Sequence, residues 1–278
     1  MIVTLTGATG FIGRRLVRRL LAAGHNVRLL VRHARTGFGP DVECFIWNAY
    51  TLDPDPAALD GADCLVHLAG EPVSQRWTPR ARRRILDSRV EGTRRLIKAL
   101  GSISRKPRCM VSASAIGYYG DRGDEILLET STPGNDFLAG VCQAWEKAAQ
   151  EAEPLGLRVA RLRFGMVLGP EGGALAQMLT PFLWGVGGKI GSGSQWTSWI
   201  HADDAVSLIL FTLEHSNLAG AVNACSPNPV TNAEFTRELA RALKRPALLT
   251  VPEWLLRLLY GEMAEILLAS QRALPGAA

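Results

Sequence analysis

Nowhere does this chain carry a continuous apolar run of the roughly twenty residues that a bilayer crossing needs. The first apolar run begins at Ile2, which leaves no room for a signal peptide. Cysteine is scarce: Cys44, Cys64, Cys109, Cys142 and Cys225 are odd in number and form no C-x-x-C pair. A disulfide framework is excluded, no metal site is expected, and a reduced, cytoplasmic compartment fits best. Aromatic residues are missing from the most basic stretch, where Arg80, Arg82, Arg83, Arg84, Arg89, Arg94 and Arg95 follow one another. Without aromatic interleaving, that run points away from nucleic acid. Ile85, Val90, Leu96 and Ile97 supply a buried side to a helix over 79–100, and the arginines coat its wet side. Internal repeats and low-complexity segments are absent. What remains is a 278-residue chain, 47% apolar with a formal charge of +5, able to build one large domain or two small ones.

The stretch around which the chain is organised is Thr4-Leu-Thr-Gly-Ala-Thr-Gly-Phe-Ile-Gly13. An apolar run precedes it, and Phe11, Ile12, Leu16, Leu20 and Leu21 then fall at helical spacing. An ordinary glycine-rich turn could also hold three glycines. The strand before and the helix after are the context a dinucleotide fingerprint requires. Gly7 would make the tight turn, Gly10 would let the backbone approach a pyrophosphate, and Gly13 would let the helix pack close to the sheet. Thr9 and the opening helical residues then offer N–H groups and a positive dipole end to phosphate.

Residues 26–31 read as the second strand, ending on Val31, Arg32, His33 and, shortly after, Arg35. An NAD site places an acid here for the ribose 2′-hydroxyl, whereas NADP needs positive charge. The acid is absent, so these residues read either as an NADP 2′-phosphate site or as a solvated basic loop. Further strands are expected at 42–47, 63–68, 108–112, 157–164 and 222–224, and helices at 136–153, 202–214, 232–243 and 252–269. Their alternation argues for an α/β, doubly wound parallel sheet. His67, inside an apolar run, reads as a packed core residue, and residues 169–193 as a long glycine-rich loop around a short helix.

Five motifs occur in order: Thr6-Gly-Ala-Thr-Gly-Phe-Ile-Gly13, His67-Leu-Ala-Gly70, Val90-Glu-Gly-Thr93, Ser112 to Gly120, and Trp199 to Asp204. With them the chain resembles the extended short-chain dehydrogenase/reductases, the NAD-dependent epimerase/dehydratase family. Ala69-Gly-Glu71, Gly117-Tyr-Tyr-Gly120, Trp145-Glu146 and Gln271-Arg-Ala-Leu-Pro275 sharpen the likeness toward its SulA-like nucleoside-diphosphate-sugar epimerases. The resemblance implies an NAD(P)-binding Rossmann lobe over 1–165, with helix 202–214 packed back on it, and a smaller substrate lobe over 166–278. It carries the cofactor contacts onto Gly7, Gly10, Phe11, Ile12, Gly13, Val31, Arg32, Leu68, Ala69, Gly70, Arg89, Ser112 and Val167, and the catalytic hydroxyl onto Ser114. NADP(H) is the expected cofactor, and a small carbonyl, alcohol or nucleotide-sugar the expected substrate.

Two departures accompany the matches. The family's Tyr-x-x-x-Lys pair falls on Leu138 and Cys142, neither of which can relay a proton. Tyr118 and Tyr119 are then the candidate acid/base groups, with Glu146 and Cys142 behind them, and a non-catalytic NADP(H) sensor is the competing reading. The chain also stops at Ala278, short of where relatives end; a shortened lobe would expose apolar surface and favour a homodimer. The substrate is expected between the Tyr118–Tyr119 loop and the 185–193 segment, with Trp184, Trp196 and Trp199 as stacking faces.

Overall fold

β1 (Ile2–Thr6) lies at the centre of a parallel sheet, with Val3 beside both Val27 and Cys64. Both faces are buried: Val3 and Leu5 pack into the apolar layer on one, and on the other Thr4 and Thr6 bond their hydroxyls to the Ala58 carbonyl and to His67. The computed structural model describes residues 1–34, 37–39 and 42–277. Along the first half, α1 (Phe11–Ala22), β2 (Asn26–Val31), β3 (Glu43–Ile46), the one-turn α2 (Pro56–Leu59), β4 (Cys64–His67), α3 (Pro79–Ser102) and β5 (Cys109–Ala115) follow β1. Next come β6 (Ile126–Leu127), α4 (Phe137–Gln150), β7 (Arg158–Phe164), β8 (Met166–Leu168), α5 (Gly173–Leu183), β9 (Gly188–Ile190), β10 (Trp196–Thr197) and β11 (Trp199–His201). The remainder is α6 (Ala202–Glu214), β12 (Gly220–Ala224), β13 (Val230–Thr231), α7 (Asn232–Leu243), β14 (Leu249–Val251), α8 (Glu253–Tyr260), α9 (Glu265–Leu268) and β15 (Arg272–Ala273).

The main sheet has seven strands in the order β12-β7-β5-β4-β1-β2-β3. The chain winds outward from β1 in one direction through β3, then returns to wind the other way from β4. That reversal opens a crevice at the carboxyl ends of β1 and β4, where ligands of open α/β sheets bind. Helices cover both faces. On one, Leu16, Val17 and Leu20 of α1 and Val206, Ile209 and Leu213 of α6 pack on Val3, Leu5, Val66, Val111, Leu162 and Val222. On the other, Ala58, Leu59, Leu96, Leu100 and Ala149 from α2, α3 and α4 cover Leu30, Leu65, Met110 and Val159. Each large side chain fully buried in these layers contributes about 1.5–3 kcal/mol.

Local signals set the helix ends. Gly24, at φ +74°, stops α1, Asp136 caps α4 through Ala139 N–H, and Thr231 with Glu234 forms a capping box on α7. The arginines of α3 are largely paired: Arg82 with Glu262, Arg83 with Asp87, Arg84 with Glu71, Arg94 with Glu91 and Glu151, and Arg95 with Asp53. No helix among the described residues is long and apolar enough to cross a membrane.

The C-terminal stretch returns as a strap. β15 pairs with β6, and Ser198 Oγ bonds the Gln271 and Ala273 carbonyls (2.9 and 3.0 Å) and accepts the Ala273 N–H at 2.8 Å. Asn223 Nδ2 donates to the carbonyls of Leu274 (2.9 Å) and Leu127 (3.3 Å). Asp121 Oδ1 accepts the Ser270 N–H at 3.0 Å.

Candidate active site

The turn after β1 closes through Gly10 N–H to the Gly7 carbonyl at 3.0 Å. Gly7 sits at φ +73°, and a Cβ on it would lie 2.7 Å from the Leu68 carbonyl carbon. A methyl on Gly13 would collide with the Gly7 carbonyl oxygen. Glycine is therefore needed at both places for close approach, not only for the turn. α1 then starts with Gly10 as its cap, no side-chain cap bond and no acid in its first turn. Its N–H groups and its positive dipole end are left for an anion, beside the exposed Thr9 and Gly10.

Cations gather on one side of this turn. Arg32 and His33 are exposed past Val31 at the end of β2, while Arg35 lies outside the described residues. Arg14, which the sequence reading passed over, donates its Nε to the Thr9 carbonyl at 3.0 Å. Its guanidinium faces Gly37, 3.9 Å from where a Cβ there would stand. The signal was available as a basic residue directly after the third glycine. On the other side, Thr6 Oγ1 accepts the N–H groups of Leu68 and Ala69 at 3.2 Å each and fixes the 68–70 turn. Arg89 lies against Gly70, donates to the carbonyls of Glu71 (2.9 Å) and Ile85 (3.1 Å), and stacks 5.0 Å over Trp145. Burial lowers its pKa from the ordinary arginine value. No carboxylate among the described residues pairs with it.

Phe11 closes the turn from outside: Gly169, Gly172 and Gly173 pack against its ring, which leaves no space for side chains there. Arg15 ties the same helix to Glu171 and to Asp203 at the start of α6. Val167 is on β8, directly before this loop, and Ser112 is buried on β5 beside His67. His67 is completely buried, bonded to Thr6 Oγ1 at 2.7 Å and Thr93 Oγ1 at 3.0 Å. Burial pushes its pKa down to about 3, so it is a neutral core residue.

The hydroxyl candidates sit in one buried network. Ser114 Oγ donates to Glu146 Oε1 at 2.7 Å, and Arg163 clamps both carboxylate oxygens of Glu146 at 2.8 and 2.9 Å. Burial alone would depress the Arg163 guanidinium, but the Glu146 carboxylate more than offsets this and holds it above its ordinary value. Tyr119 is wholly buried; its hydroxyl donates to Asn223 Oδ1 at 2.7 Å and accepts from Arg163 at 2.9 Å. Burial raises that phenol further. Tyr119 is thus placed as a strut between β5 and β12, while Tyr118 stacks face-on over Arg163 at 3.5 Å. Leu138 and Cys142, at the expected Tyr and Lys positions, lie opposite Gly117: a Cβ there would stand 3.7 Å from Leu138 Cβ and 4.0 Å from Cys142 Sγ. Burial pushes the Cys142 thiol up to about 12, which makes it a small hydrophobe rather than an acid or base.

The 185–193 segment contains β9, paired with β14, where a plain loop was expected. The continuations of the two expected substrate segments do face one another. Asp121 and Asp124 on one side, and Ser192, Ser194 and Gln195 on the other, line a cleft of about 290 Å³. Trp196 Nε1 donates to Asp124 and Trp199 Nε1 to the Asn228 carbonyl, whereas Trp184 is 79% exposed.

A parallel doubly wound sheet with a glycine turn at its switch point is a Rossmann-type dinucleotide-binding fold. The chain belongs to the NAD dependent epimerase/dehydratase family, which it matches over residues 3–225; residues 251–278 match a domain of unknown function, DUF1731. It is similar to the chloroplastic SDR39U1 homolog of Arabidopsis thaliana, an epimerase family protein, at 40% identity over 99% of this chain and 80% of that one. The crystal structure of human epimerase family protein SDR39U1 with NADPH aligns with a TM-score of 0.87 and 33% identity, covering 99% of this chain and 91% of the human chain. A nucleoside-diphosphate sugar epimerase from Corynebacterium glutamicum aligns at TM-score 0.80 and 39% identity; this chain spans 53% of its length.

Proposed function

We propose that this chain is an NADP(H)-dependent oxidoreductase or epimerase acting on a small carbonyl or alcohol, with nucleotide-linked sugars as the first class to test. The observation that carries it is the uncapped, acid-free start of α1 with Arg14, Arg32 and His33 on one side and the carboxylate-free Arg89 on the other. The α1 N–H groups would hold the pyrophosphate, Arg32 and Arg14 the 2′-phosphate, and Leu68, Ala69, Gly70 and Arg89 the ribose side. When bound, the nicotinamide supplies or accepts a hydride. The human relative's NADPH and the name of the Corynebacterium relative support the cofactor and the substrate class.

In this reading residues 1–165, with α6, hold the cofactor and the rest grips the substrate. Ser114 donates its proton to Glu146, which leaves its oxygen as the acceptor for a substrate hydroxyl. Tyr118 is the remaining phenol that could exchange a proton. A second reading, an NADP(H) sensor without turnover, is favoured by Leu138 and Cys142 standing where the family places its Tyr and Lys.

Charge-assisted contacts to phosphate contribute about 1.5–3 kcal/mol each, so NADPH should bind at least about tenfold more tightly than NADH. Calorimetric titration of both cofactors into the wild type, Arg32→Ala and Arg89→Met tests this. Equal affinities in the wild type would refute the NADP assignment, and binding of neither would refute the site. NADPH absorbance is then followed against carbonyls and sugar nucleotides. Tight binding with no turnover across that panel selects the sensor.

A further inference from the structure

Three strand spacings from β1, about 14 Å along the sheet, the flank of the fold carries a second polar cleft of about 670 Å³. Its floor is β7 with Ala221 of the edge strand β12, and its walls are α4 and the loop at Glu129 and Thr130. Arg161 and Arg163 are two residues apart on one strand and so point to the same face. The opposite face of β7 belongs to the apolar layer under α6, through Leu162 and Phe164.

The charges lining this cleft do not cancel. Three are positive (Lys147, Arg161, Arg163) and two negative (Glu129, Glu146). Glu146 is already clamped by Arg163 and accepts from Ser114. Glu129 Oε1 already accepts the N–H groups of Asn223 (2.9 Å), Gly276 (3.1 Å) and Ala277 (3.1 Å). Arg161 and Lys147 are left over. The Arg161 Nε is buried and lacks a hydrogen-bond partner, a state that costs free energy unless something fills it.

We propose that this flank cleft is a binding site for a small phosphorylated molecule, separate from the glycine turn. The forked Arg161 guanidinium suits two oxygens of one phosphate, and the Lys147 ammonium can reach the same group as a point charge. A single phosphate would not fill the cleft; its volume lies in the range of metabolite-sized sites. Arg163, Glu146 and Tyr118 all line this cleft, so an occupant here touches the Ser114–Glu146 network and Tyr118 directly.

Inorganic pyrophosphate is the probe, titrated by calorimetry at constant ionic strength into the full chain held at saturating NADPH. One site should remain under these conditions. Arg161→Gln and the charge reversal Lys147→Glu should each weaken it at least about tenfold; Lys147 is exposed, so that variant keeps its fold. The same site should persist in an Arg14→Ala/Arg89→Met chain, whether or not NADPH binds there. No residual site, wild-type affinity in both cleft variants, or loss in the Arg14→Ala/Arg89→Met chain would each overturn the proposal.

Discussion

Glu146→Gln removes one charge from the network under Ser114 and changes little else in shape. The side chains of Arg163 and Glu146 are only 4% and 6% exposed. Glutamine keeps an oxygen for Ser114 but turns an amide N–H toward a guanidinium that then has no anion. Removing one member of a buried ion pair costs about 3–5 kcal/mol, because the other charge stays desolvated. For a chain of this length each kcal/mol lowers the melting temperature by about 2 °C. Calorimetric melting should therefore fall by about 6–10 °C. Replacing both partners, as in Glu146→Leu/Arg163→Met, should recover most of the loss, since two apolar side chains leave no orphan charge. Recovery stays incomplete, because the Tyr119 hydroxyl then loses the Arg163 N–H at 2.9 Å while keeping Asn223. A shift below about 2 °C for Glu146→Gln, or a double variant less stable than the single one, would refute the reasoning.

Two further predictions concern stability. His67 has a folded pKa of about 3 against an ordinary value of 6.5, so below pH 6.5 the unfolded chain takes up a proton that the folded chain refuses. Its contribution is intact above pH 6.5 and declines as pH falls from 6.5 toward 3. The loss is on the order of 2 kcal/mol at pH 5. Denaturant titrations between pH 5 and 7 should show this slope in the wild type and a flatter one in His67→Gln; parallel slopes would count against it. Gly13→Ala should cost more than about 3 kcal/mol and abolish NADPH binding, since its methyl meets backbone. Gly24→Ala, at φ +74° but with nothing within 4 Å, should cost only about 1–2 kcal/mol. Comparable losses in urea midpoints for the two would sink this contrast.

The β1–turn–α1 unit was legible because it is local: strand, glycines and helix face sit within 22 residues, and each leaves its own pattern. So was β4, whose apolar run reflects burial on both faces. The Ser114–Glu146–Arg163 network was not, because its members stand 32 and 17 residues apart and only sheet order and helix packing bring them together. Tyr118, four residues after Ser114, reads as the stronger acid/base candidate of the two; that Tyr119 is a buried strut was not legible, because its partner Asn223 stands 104 residues on. Strands of two or three residues, such as β6, β10, β13 and β15, are too short to show alternation. The single helix expected over 252–269 breaks at Gly261, whose φ of +61° is closed to a continuing helix.

The strap formed by residues 270–274 also has a meaning in time. Ribosomes add about 5–20 residues per second. Ser270 is 149 residues beyond the Asp121 it secures, so that loop waits about 7–30 s for its partner during synthesis. Asn223 likewise stays without the Leu274 carbonyl, and the Leu127 carbonyl without the Leu274 N–H, until the last. The glycine turn, by contrast, needs only β4 and the 68–70 turn beside it, and these emerge early. The nascent protein therefore has the parts of its dinucleotide crevice well before the tyrosine loop is fastened, and a premature stop that falls after the 68–70 turn but before residue 270 leaves the first without the second.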